Sequence, residues 1–231
     1  MKQTRPLLGL AAASALLASG LLSGCGVAGT GFSPGVAAAV GDTDITVERV
    51  DAVATSYCDA ITPQLEGQVL PNRYLTSGVA GQLALAAAAE QLAAEHGVEA
   101  GEQYVGQLAR LEEAVATLPE DQQDAVVEVE SAGSLVSDLV LGVGRELAEG
   151  EGLVDPTDEQ VAELGNRALA DWIEEHDVEV NPRYGVRLDE GQPVDADTAT
   201  SVAVGDLATA AMAESPDQEY AAALPESQRC G

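Results

Sequence analysis

Bulky aromatic side chains are nearly missing from this chain of 231 residues. Aromatics make up 3%, as one Trp, one Phe and five Tyr. A core must then be built from Ala, Val and Leu, and elements carrying such small side chains have to approach closely. Basic residues are scarce too. Ten Lys and Arg face 39 Asp and Glu, a formal charge of −29. A surface of that sign repels phosphate, which excludes charge-driven binding to nucleic acid or to an anionic leaflet. Solubility on a wet cell surface accounts for the acidity, as would a halophilic or high-GC source.

Recognisable chemistry is also lacking. The two histidines, His96 and His176, have no Cys or third ligand at metal-site spacing. Each stands where a helix is expected to end, and there a cation interacts well with the helix dipole. No Ser sits in Gly-x-Ser-x-Gly, and Gly142-Val143-Gly144 lies inside a helical pattern rather than opening one. Asp189, Glu190, Asp195 and Asp197 are the nearest approach to a Ca²⁺ loop, without the EF-hand spacing or its glycine. Arg183, beside Tyr184, either meets an acidic group on a partner or pairs with a neighbouring carboxylate to fix its turn. No catalytic residue, metal or cofactor is expected, and the chain reads as a non-enzyme with its binding residues unassigned.

Targeting information is plentiful. Lys2 and Arg5 precede an apolar run over residues 7–22, which ends in Leu21-Leu22-Ser23-Gly24-Cys25. A basic start, an apolar middle and small residues before a cut site describe a secretory signal. The ending is similar to the bacterial lipobox. That resemblance implies a lipoprotein signal peptide over residues 1–24 and acylation of Cys25 as the new first residue. A plain signal peptide or a short membrane helix are the other readings of the same run. Two or more acyl chains anchor stably, at about 0.8 kcal/mol per buried methylene. Cleavage removes Lys2 and Arg5, leaving eight arginines and a formal charge of −31. Residues 25–35, rich in Gly, Ser and Ala, read as a flexible tether with a reach of roughly 20 Å.

The remaining cysteines, Cys58 and Cys230, form an even pair, which in an exported protein suggests a disulfide. It would close a loop of 172 residues and pin the C-terminal tail to the first helix. Chain entropy values such a loop at about 5 kcal/mol. Two free thiols are the alternative.

Residues 36–231 predict a single, mainly α domain (α+β) of about five helices. A small antiparallel sheet is expected to join its N- and C-terminal segments. Val36-Ala37-Ala38-Ala39-Val40 suits a strand, Gly41-Asp42 a turn, and Thr46 an N-cap. Val50, Val53, Ala54, Tyr57 and Ile61 then share one helical face. A second helix over 73–95 is apolar nearly all round, hence central, with Gly97 closing it. A third is expected over 99–118 and a fourth over 120–149, with glycines predicting a break near Gly133. The fifth starts at a Thr157/Gln160 capping box, with Val161, Leu164, Ala168 and Trp172 as its buried stripe. Strands are expected at 178–180, 186–188 and 201–204, then a short helix over 206–213 and a polar tail.

The stretch Ala-Ala-Val-Gly-Asp-Thr-Asp-Ile-Thr, at residues 38–46, resembles the opening of SurA/PrsA-type extracytoplasmic chaperones. Glu95-His96-Gly97-Val98-Glu99 and Asn181-Pro182-Arg183-Tyr184-Gly185 resemble further steps of that group. Gly41-Asp42 departs from its usual Asn-Gly turn, and nothing matches its parvulin domain. The resemblance therefore implies a SurA N-terminal-like domain that binds unfolded exported polypeptides without isomerase activity and carries over no catalytic residue. A structural or adaptor lipoprotein holding one folded envelope partner is the alternative. Either would sit on the extracytoplasmic face of the cell membrane through its lipid anchor.

Mass spectrometry of native material is expected to find a chain starting at Cys25 with a diacylglyceryl group on its sulfur. An unmodified thiol there, or full-length precursor in cytosol, would contradict this.

Overall fold

The computed structural model describes residues 34–196, 204–211 and 217–231, except for the side chain at 207, and these belong to one compact unit. Cys25, the signal segment, nearly all of the tether and Asp197 lie outside the described residues. The architecture is mainly α with small antiparallel sheets.

The chain enters as a hairpin, β1 (Val36–Val40) and β2 (Thr43–Thr46), with a two-residue turn at Gly41-Asp42. Gly41 has φ +50°, and a Cβ there would press on the side chains of Gln91 and Trp172. Only glycine satisfies both demands. Thr46 then caps α1 (Val47–Ile61), its hydroxyl accepting from the Arg49 N–H at 3.1 Å. Val50, Val53 and Ala54 of the expected stripe are buried, joined by Ala60.

α2 (Asn72–Glu95) is the central helix its composition predicts. It packs against α1, β1, α4 (Glu120–Gly150) and α5 (Asp158–Glu175). Ala80, Ala84, Ala88 and Ala89 are wholly buried within it. α3 (Glu102–Val115) is shorter than expected at both ends. Asp138 of α4 accepts the Gly101 N–H at 2.6 Å, so a partner on another helix sets where α3 begins. α4 runs unbroken through Gly133, against expectation. Gly133 is exposed with nothing near it, so no neighbour imposes a kink.

α4 and α5 cross at their glycines. A Cβ on Gly144 would collide with the Val161 carbonyl oxygen, and one on Gly165 with the Val140 carbonyl oxygen. This contact turns α5 so that Val161, Gly165, Leu169 and Trp172 face inward. Leu164 and Ala168 are only half-buried, which corrects the expected stripe. The Thr157/Gln160 capping box is present in both directions.

The small antiparallel sheet expected to join the N- and C-terminal segments is present, and two further two-stranded sheets stand apart from it. β4 (Glu179–Val180) pairs with β1, giving the order β2-β1-β4. β5 (Val186–Asp189) pairs with β6 (Gln192–Asp195), which sequence reading missed because Pro193 argues against a strand. Of the strand expected over 201–204, only Val204 is described, and it is 94% exposed outside any strand. The tail is not merely polar. After α6 (Asp206–Ala211) it forms α7 (Gln218–Ala223) and β7 (Arg229–Cys230), which pairs with β3 (Leu70–Pro71). The Cys58–Cys230 disulfide fixes that pairing to α1, with Cα atoms 5.6 Å apart.

Replacing Gly144 with Ala should destabilise the fold by about 2 kcal/mol through overpacking. Replacing Gly133 with Ala should stabilise it by about 0.5–1 kcal/mol. Thermal unfolding followed by circular dichroism checks both, and equal shifts would contradict the close crossing.

Candidate functional site

α2 is enclosed on most sides but not all. Between β2 and α4 no described residue covers one strip of it, which forms the floor of an open groove of about 360 Å³. Leu83, Ala86 and Ala87 make that floor, and the two alanines, ending at a methyl group, leave depth above the helix. Ile45 of β2 forms one wall, and Ala132 and Leu135 of α4 form the other. At one end α1, which leaves β2 directly, packs against both α2 and α4, and its Arg49 lines the groove.

That end is held by polar ties. Arg49 donates to Glu128 at 2.5 Å, and the Tyr57 hydroxyl donates to Glu130, each joining α1 to α4. Burial, followed by the bond to Glu130, pushes the Tyr57 hydroxyl pKa well up. On α2, Gln91 holds the hairpin turn. Its side-chain N–H donates to the Val40 carbonyl at 2.9 Å, and its oxygen accepts from the Asp42 N–H at 3.3 Å. β2 is therefore placed by both its neighbours.

The lip is acidic. Asp44, Glu90 and Glu128 border the apolar floor, and the one basic residue among them, Arg49, is already paired with Glu128. Glu90 makes no hydrogen bond or ion pair among the described residues. It is exposed at the surface, yet crowding around its carboxyl raises the pKa above the usual carboxylate value through desolvation. A carboxylate set beside alanine and leucine without a partner favours an incoming cation.

The residues singled out from sequence do not meet here. His176 caps α5 as expected, with its Nδ1 donating to the Trp172 carbonyl at 2.9 Å and its ring stacked on Trp172 at 4.1 Å. His96 turns from its own helix to Glu146 of α4, 2.7 Å away. Arg183 makes no ion pair among the described residues and lies over the Tyr184 ring at 5.3 Å. Of the two readings of Arg183, pairing with a neighbouring carboxylate is therefore not what fixes its turn. Asn181 fixes that turn instead: its side-chain N–H donates to the Val36 carbonyl at 3.0 Å and its oxygen accepts from the Arg183 N–H at 3.1 Å. Asp189 pairs with Arg187 at 2.8 Å, which lowers its pKa. Among the described residues no three His, Cys, Asp or Glu side chains converge as metal ligands, and no helix is long and apolar enough to cross a membrane. Sequence reading missed the groove because its lining residues, mostly Ala, Leu and Glu, belong to no chemical motif. The only signal was the excess of small residues in 78–89.

Because desolvation raises the Glu90 pKa in the fold, its contribution to stability is present at low pH and is lost as pH rises through that pKa. Glu90→Gln should therefore raise the melting temperature at neutral pH and make no difference below the carboxylate range. Melting curves across pH check this; a variant less stable at neutral pH would contradict it. In comparisons with known proteins, no family model, curated protein or solved structure matches this chain.

Proposed function

We propose that this protein is a lipid-anchored, extracytoplasmic, chaperone-like module. It holds unfolded exported segments in the groove over α2 and performs no isomerase chemistry. The observation that carries the reading is the groove itself: an apolar floor left uncovered in a folded domain, bordered by carboxylates. Uncovered apolar concavities mark binding sites rather than resting surface. An unfolded chain offers apolar side chains that a folded partner has already buried. The lipid on Cys25 and the tether would keep the groove close to the membrane, where exported chains emerge unfolded. With residues 1–24 removed, the formal charge of −31 would supply long-range attraction for basic segments.

At equimolar dose the protein should suppress aggregation of a chemically unfolded exported protein, and raising salt beyond physiological strength should weaken the capture. No suppression at that dose would count against the reading. Crosslinking in cells should give many partners; one folded envelope protein would favour the adaptor alternative.

A further inference from the structure

Beside the groove runs an unpaired strand edge. In the order β2-β1-β4, the side of β2 away from β1 has no strand beside it among the described residues. Val40 and Thr43 close the two-residue turn, and Asp44 stands opposite Ala39 as the next pair. In an antiparallel hairpin the closing pair exchanges both backbone bonds, and the following pair points its N–H and C=O outward. The Asp44 N–H and C=O are therefore directed away from β1, and no described residue bonds them. Asp44, Ile45 and Thr46 also line the groove while no residue of β1 does, so the groove lies along this outer edge.

We propose that the groove binds an extended peptide that adds as a strand to the outer edge of β2, with alternating apolar residues and at least one Lys or Arg. This rests on the chaperone-like reading above and states how that site would work. A strand in this position gains main-chain bonds from Asp44, which are indifferent to sequence. Its side chains alternate between faces. One set enters the groove against Ile45, Leu83 and Leu135, where small and medium aliphatic groups fit. A basic residue of the other set reaches the lip. Charge complementarity selects it: among the described residues Asp44 and Glu90 have no basic partner, and Arg49 is already engaged by Glu128. An acidic segment would meet only repulsion there. An amphipathic helix would fill the groove too, but would leave the Asp44 main chain unbonded.

The test is fluorescence anisotropy with a capped hexapeptide of alternating Val and Arg on the disulfide-intact protein. Asp44→Pro removes the outward N–H and keeps the ladder to β1, since proline is tolerated on an edge strand. Asp44→Asn is its control for lost charge. Losing one main-chain bond should weaken binding by roughly fivefold beyond the Asn variant. Glu90→Gln should weaken the Arg peptide and leave a Val-Thr peptide unchanged. N-methylation of alternate peptide residues should abolish binding in one register and spare it in the other. Should Asp44→Pro fail to fold by circular dichroism, the N-methyl pair decides alone. Equal binding of both N-methyl registers, or of Asp44→Pro and Asp44→Asn, would overturn strand addition. If a groove-filling Ala87→Trp then still abolished aggregation suppression, the chaperone-like reading would survive without it. Absence of both peptide binding and suppression would remove both.

Discussion

Close approach across alanine and glycine is the constraint on which this structure depends. With so few aromatics, apolar area can be buried only if backbones come near enough for methyl groups to touch. At the α4–α5 crossing that requirement reaches its limit, where Gly144 and Gly165 each face a carbonyl of the opposite helix. Around α2 it is met by fully buried alanines on several sides at once. The single Trp is the exception: Trp172 is buried, donates to Glu95 at 3.0 Å and abuts the Gly41 turn.

The groove follows from the same constraint. A helix of small side chains is thin, and its neighbours come close only where they meet it directly. β2 and α4 are held on either side of α2 by Gln91 and by the ties from α1, so the strip between them stays open. Larger residues at Ala86 and Ala87 would fill it. Its depth comes from the alanines of the floor, and its acidic lip from Asp44, Glu90 and Glu128.

The long-range ties act at the ends of the chain. Asn181 and β4 bring the segment after α5 back to β1, and the disulfide brings β7 to α1 and β3. A bond closing 172 residues restricts the unfolded chain more than a local one does. The C-terminal segment has little apolar surface of its own, and the covalent link offsets that shortage.

Local chemistry was legible from residues alone. The Thr46 cap, the Thr157/Gln160 box, the Gly97 stop and the five main helices each depend on contacts within a few residues, which sequence spacing encodes. The Cys58–Cys230 pairing was legible by count. What failed was rotation and partnership. The inward face of α5 is set by its glycine contact with α4, and the start of α3 by Asp138. The continuity of α4 goes with the open space beside Gly133, and the added sheets rest on strands too short to show a period. The groove was invisible for the same reason: Leu83, Ala87 and Leu135 are core-type residues whose exposure depends on what does not cover them. Sequence by itself determined the acidic, aromatic-poor, helical character of this protein and its two linked cysteines, because composition and short-range hydrogen bonding decide those. Only the tertiary structure decided which side of α2 stays open, since that depends on how far apart its packed neighbours are held.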